Sequence, residues 1–270
     1  MRLSVFFDHA KVAAAQRGEC IGDILRRFRD AGIESVELAA ADATDDTIAL
    51  LRAAGLRVGA VYRQFDFLNG FDTDDRGFLR PPLGVGATHF LIIPGLLRHD
   101  DGHDAFSRTI DGVRAVAGHC RAAGLVPMIE DYGDLSSRTC RPYDIARTLD
   151  AVPDLSFNFD TGNFAVAGES PLVLYPRFAH RIAYVHAKDR IAKADCGEAV
   201  VAPDGRMLRS CAVGAGDIPV AGLLSKMAFD GIDAPIAIEC FGAADMLGTI
   251  LASARFLRGD FGENLNVMEG

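Results

Sequence analysis

Four apolar runs of this chain end on a group that can bind a metal ion or move a proton. Val126-Pro127-Met128-Ile129 gives out at Glu130, Leu155 to Phe159 at Asp160, Ala183-Tyr184-Val185 at His186, and Pro235 to Ile238 at Glu239. Side chains alternate along a strand, so Glu130 shares a face with Met128, Asp160 with Asn158, His186 with Tyr184, and Glu239 with Ala237. If those faces turn inward, three carboxylates and an imidazole converge on one rim. Such a set suits a single divalent ion, with hard carboxylates favouring Mn²⁺ or Mg²⁺ over Co²⁺ or Zn²⁺. The ion would polarise neighbouring carbonyl and hydroxyl oxygens, and Glu130 and Glu239, on opposite sides of a substrate, would relay protons.

Other polar groups fall near the same ends. Asp160 runs into Thr161-Gly162-Asn163, where Asn163 can bond a sugar hydroxyl. Lys188 shares the parity of His186; it can neutralise a carboxylate or enolate, donate a proton if a metal depresses its pKa, or pair with Asp189. Arg63, ahead of Phe65 and Phe67, can clamp an anionic substrate. Glu37 and His9 close earlier strands; Glu37 counts among the pocket-lining residues, although hydrogen-bonded structural roles are the simpler reading of both.

These residues need strands that all point one way. Strands are expected at 3–7, 35–39, 57–62, 89–93, 126–130, 155–160, 183–188 and 235–240. Helical patterns lie between them, at 21–31, 45–54, 76–85, 104–123, 142–151, 170–181, 220–229 and 245–257. One βα unit recurs every ~25–35 residues in the second half, as a parallel barrel requires. No glycine-rich phosphate turn follows the first strand, which speaks against an open doubly wound sheet. The expectation is therefore a single-domain α/β fold, a (β/α)8 TIM barrel over residues 1–270. A polar excursion at about 190–217 interrupts the rhythm on the catalytic rim, and the Phe-, Asp- and Gly-rich stretch 63–75 is a candidate lid.

The 270 residues can bury one large core, and 49% hydrophobic with 24% charged residues is an ordinary globular composition. A balance of 28 Lys+Arg against 37 Asp+Glu, formal charge −9, argues against a nucleic-acid partner bound through a general basic surface. Six scattered cysteines without a C-x-x-C pair, no signal-like segment and no membrane-spanning run point to a reduced cytoplasmic protein.

The Met-Ile-Glu-Asp around Glu130, the Asp160-Thr161-Gly162-Asn163 run, Val185-His186-Ala187-Lys188-Asp189 and Ile238-Glu239 together resemble the xylose isomerase-like TIM-barrel superfamily. Within it they are similar to the sugar phosphate isomerases/epimerases, ketose 3-epimerases and inosose dehydratases. The resemblance covers nearly the whole chain. It implies one divalent metal ion held by Glu130, Asp160, His186 and Glu239, with the two glutamates as the acid/base pair of a 1,2-enediolate mechanism. It also implies a small carbohydrate-like substrate and is compatible with a homo-oligomer. Asn163 stands where the ketose 3-epimerases carry a substrate-binding histidine, and Lys188-Asp189 where they carry Gly-Glu, so a free-ketohexose epimerase fits less well. A dehydratase of the inosose or 3-dehydroshikimate type is the runner-up. A phosphodiester hydrolase, lacking its extra histidines, and a barrel without chemistry come behind.

Overall fold

The computed structural model describes residues 1–72, 74–192 and 197–259. In chain order its strands are β1 (Leu3–Phe6), β2 (Ser35–Ala39), β3 (Arg57–Gln64), β4 (His89–Ile93), β5 (Val126–Glu130), β6 (Ser156–Asp160), β7 (Ile182–Ala187), β8 (Asp189–Ile191), β9 (Ala199–Val201), β10 (Met207–Cys211) and β11 (Ile236–Ile238). The first seven and β11 pair in parallel and close into a barrel, β11 lying between β7 and β1. The helices are α1 (Phe7–Arg17), α2 (Ile21–Asp30), α3 (Asp45–Ala53), α4 (Arg80–Gly84), α5 (Gly102–Ala122), α6 (Pro142–Ala151), α7 (Asn163–Val166), α8 (Pro171–Phe178), α9 (Val220–Phe229) and α10 (Met246–Gly259). The result is the expected (β/α)8 TIM barrel. The stretch 260–270, which the sequence reading assigned to the barrel, lies outside the described residues, as do Cys196 and the rest of 193–196.

Local chemistry explains the helices. In α2, Ile24, Leu25 and Phe28 repeat at three- and four-residue spacing and are buried, while Arg26 and Arg29 face out. Thr44 caps α3 by accepting the Thr47 N–H at 3.2 Å, ahead of Asp45 and Asp46 in the positive first turn. Gly124, at φ 79°, turns the chain out of α5 into β5.

The core has two shells. The larger packs the outward faces of the strands, such as Val5, Val36, Val61, Ile129, Phe157 and Ile238, against the helices. The smaller fills the barrel with Ala60, Leu91, Met128, Tyr184 and Ala237, backed by Tyr62 and Ile93. Met128, Tyr184 and Ala237 stand two residues before Glu130, His186 and Glu239, so the inferred parity holds and an apolar plug underlies the polar rim.

Three expectations are corrected. The first strand stops at Phe6, and Asp8 and His9 lie in α1, whose apolar residues are largely alanines with no strong stripe to announce a helix. The stretch read as a lid is pinned: Phe65 and Phe67 are buried with stacked rings 5.2 Å apart, and Phe71 packs edge-on to both. The excursion contains regular structure, an antiparallel sheet in the order β8-β10-β9. Its hairpin turns at Pro203-Asp204-Gly205, where Ala202 N–H donates to Arg206 O at 2.9 Å.

Candidate metal centre and its surroundings

The run after β6 shows how sequence builds the rim. Asp160 Oδ1 accepts the backbone N–H groups of Gly162 and Asn163 at 2.7 and 2.8 Å, starting α7 and leaving Oδ2 for the barrel mouth. The Thr161 hydroxyl donates to Lys188 O at 2.6 Å and accepts Lys188 N–H at 2.9 Å, carrying the β6–β7 pairing one step past the strands. Gly162 is required because a Cβ there would meet the Lys188 side-chain stem.

The structure brings together Glu130, Asp160, His186 and Glu239 from the four adjacent strand ends of β5, β6, β7 and β11. One donor atom of each lies within 4.8 Å of the others. His186 Nδ1 is 2.7 Å from Glu130 Oε2 and 2.9 Å from Glu239 Oε2, yet it makes no aligned hydrogen bond, and buried Asp160 Oδ2 makes none either. Glu130 Oε2 accepts an N–H of Asn158 Nδ2 at 2.9 Å, but His186 Nδ1 and Asp160 Oδ2, crowded this closely without an aligned hydrogen bond, fit a shared cation. Charge agrees: Glu37, Glu130, Asp160 and Glu239 face only His186 and Lys188 as cations. With buried Asp131 beside them, the carboxylates outnumber the cations, and an excess of negative charge in a nearly water-free site suits a divalent ion.

Glu37 is fully buried, with its oxygens 3.2 and 3.3 Å from His186 Nε2. It therefore stands behind the imidazole, not on the pocket wall. It fixes Nε2 as the protonated nitrogen and turns Nδ1 toward the other donors. Lys188 Nζ is 2.9 Å from both Asp160 Oδ2 and Asn163 Oδ1 and also pairs with Glu239. Asp189, its expected partner, turns away and accepts backbone N–H groups of Arg190, Gly214, Gly216 and Ile218. Asn163 is buried, its Nδ2 donating to Asp131 O at 2.9 Å.

Arg63 is placed differently from expectation. β3 runs two residues past the expected end, and Arg63 has the outward parity of Val61; its guanidinium lies over the Phe65 ring at 5.2 Å. Tyr62 turns inward instead and its hydroxyl donates to Asp8. Phe6 packs edge-on to His186, ring centroids 5.0 Å apart, and to Phe241, which is 45% exposed at the mouth. Neither phenylalanine carries a polar group that would mark this aromatic wall in the sequence. The inward parity of Phe6 and Tyr62 was the signal available for it.

Environment separates the acids. Burial raises the Glu130 pKa, partly offset by His186. Burial pushes Glu239 the same way, but the Lys188 ammonium and His186 outweigh it and hold that carboxylate below its usual range. For Lys188, burial lowers the pKa, and the charges of Asp160 and Glu239 overcome it, leaving the ammonium above its ordinary value. Its surroundings thus favour a fixed cation over a depressed acid.

Comparison with known proteins agrees with this fold. Residues 83–259, more than half of the chain, match the family described as Xylose isomerase-like TIM barrel. The chain belongs to that family. A sugar phosphate isomerase/epimerase from Parabacteroides distasonis superposes with a TM-score of 0.68 at 14% identity, over 96% of this chain and 94% of that one. A xylose isomerase-like TIM barrel protein from Mycobacterium smegmatis in complex with magnesium gives 0.65 at 16% identity, over 87% and 86%. At such identities the likeness is one of fold. An inosose dehydratase of Lacticaseibacillus casei is 27% identical over 86 residues, 32% of this chain and 29% of its own length. Among the described residues, no helix is long and apolar enough to cross a membrane.

Proposed function

We propose that the protein is a divalent-metal-dependent isomerase or epimerase of a small hydroxy-carbonyl carbohydrate, a sugar, sugar acid or sugar phosphate. The observation that carries the reading is the convergence of Glu130 and Glu239 on His186 Nδ1 from the outer two of four adjacent strands. Glu130, Asp160, His186 and Glu239 would hold the ion, Mn²⁺ or Mg²⁺ in preference to Co²⁺ or Zn²⁺. When bound, it would supply Lewis-acid polarisation of adjacent oxygens. One glutamate removes the proton beside the carbonyl and the other returns it at the neighbouring carbon or the opposite face. Lys188 holds a positive charge where enediolate charge develops. Phe6 and Phe241 form an apolar wall that limits water, and Glu37 keeps the imidazole oriented.

A second reading is a dehydratase, favoured by the inosose dehydratase match and by Lys188, whose ammonium can assist departure of a β-hydroxyl. The test is solvent-deuterium incorporation into ketoses, sugar acids and inososes with Mn²⁺ or Mg²⁺, comparing the native chain with Glu239→Gln and assaying bound metal. Exchange without loss of water, reduced at least ~100-fold in Glu239→Gln, is expected. An unsaturated product would transfer the assignment to the dehydratase. A native chain that retains no divalent metal and exchanges nothing would end the metal-enzyme reading.

A further inference from the structure

Arg190 on β8 is only 8% exposed, and its Nε has no hydrogen-bond partner. Among the described residues no carboxylate lies within ion-pairing distance of its guanidinium. The backbone around it is fixed. Its N–H donates to Asp189 Oδ1 at 2.8 Å, and its carbonyl accepts Asp217 N–H at 2.8 Å. A buried guanidinium N–H without an acceptor is costly, and among the described residues no counter-charge offsets it, which leaves that charge open to a ligand.

Arg190 lines a cavity of about 270 Å³ between the turn leading into α8 and the rim sheet, together with Gly168, Ser170, Arg206 and Leu208. Arg206 adds a second cation, paired with Asp204 beside the hairpin and more than half exposed. Ser170 precedes α8, whose first turn presents the positive end of an eight-residue helix. Glu169 and Asp217 also stand on the wall; both are exposed, and Asp217 Oδ2 accepts the Ala192 N–H.

We propose that this cavity is an oxyanion site that receives a phosphate or phosphoryl group on Arg190. A planar guanidinium presents paired N–H groups that match two oxygens of such a group. The cavity falls below the ~300 Å³ at which pockets for whole small molecules begin, so it suits one oxyanion and not a nucleotide. Two sources share this chemistry: free phosphate, or the phosphoryl end of a carbohydrate whose other end reaches the metal centre. Arg190 lies two residues past Lys188, about 7 Å along an extended backbone.

Calorimetric titration of inorganic phosphate into the native chain, Arg190→Gln, Arg206→Gln and Glu239→Gln tests the site. We expect binding to the native chain, retained in Glu239→Gln and weakened roughly 10- to 150-fold in Arg190→Gln, with a smaller loss in Arg206→Gln. No binding to the native chain overturns the proposal, as does binding that survives in Arg190→Gln and disappears in Glu239→Gln. If Arg190→Gln does not fold, the phosphate-induced rise in Tm decides: a smaller rise in Arg206→Gln supports the site, and an undiminished rise overturns it. Matched phosphorylated and unphosphorylated ketoses then separate the sources. Displacement of phosphate by the phosphorylated sugar alone, with its KM raised in Arg190→Gln, assigns the group to the substrate; displacement by neither assigns it to a free anion. Phosphate binding is read without turnover, so it stands or falls apart from the isomerase reading.

Discussion

His186 is gripped from two sides, and that grip decides what the imidazole can do. Glu37 takes Nε2, so Nδ1 is the nitrogen that carries a lone pair toward Glu130, Asp160 and Glu239. Glu37→Gln keeps shape and burial but removes the charge that makes Nδ1 a strong donor. The expected result is a loss of divalent-metal affinity of about 10- to 100-fold, with far-UV circular dichroism unchanged, measured by competition against a chelator. The same residue shows how far the sequence could be read. Glu130, Asp160, His186 and Glu239 stood out because each breaks an apolar run at its C-terminal end. Glu37 breaks one too, but alternation gives a face and not a depth. Pairing of Phe6 with Glu37 places that carboxylate behind the imidazole, and this depends on the register of β1 against β2.

At the scale of elements, Asp189 ties the rim sheet to the barrel. One buried carboxylate receives backbone N–H groups from Arg190, Gly214, Gly216 and Ile218, and Gly216 has no Cβ because one would collide with that carboxylate. Asp189→Asn puts an NH₂ among those donors, leaving at least one N–H without an acceptor and the loop without its charge. We expect a destabilisation of about 1–3 kcal/mol and faster amide exchange confined to β10 and residues 212–218, read by hydrogen–deuterium exchange mass spectrometry. Equal acceleration in β4 and β5 would mean that the carboxylate supports the whole barrel instead. The strong-period elements, such as α2, β5 and β6, were legible because burial imposes their pattern. The rim sheet was not, since short strands with one exposed face alternate weakly, and β3 was read two residues short, which put Arg63 in a loop and hid its outward parity.

For the molecule as a whole, the candidate metal centre and His89 lie at opposite ends of the barrel, separated by the apolar plug. His89 opens β4 at the end away from the metal centre. Its Nδ1 is 2.8 Å from Thr88 Oγ1, and its ring meets Tyr184 edge-on with centroids 5.1 Å apart. Burial, helped by the charges of Arg2 and Arg121, holds its pKa down at about 4, against 6.5 for an ordinary histidine. His9, buried against Cys240 N–H, is likewise pushed down to about 4 by burial. The sign follows from linkage: between these values the unfolded chain binds protons that the folded one does not. The stability that these two histidines contribute is therefore full above pH ~6.5, falls as the pH drops, and is lost below ~4. For His89, the shift corresponds to about 2 kcal/mol after allowance for its partial exposure. In chelator, the urea midpoint of the native chain should fall relative to that of His89→Asn as the pH drops across this window. Midpoints that run parallel in the two chains would mean that His89 carries none of the acid sensitivity and would leave His9 as the depressed histidine to test.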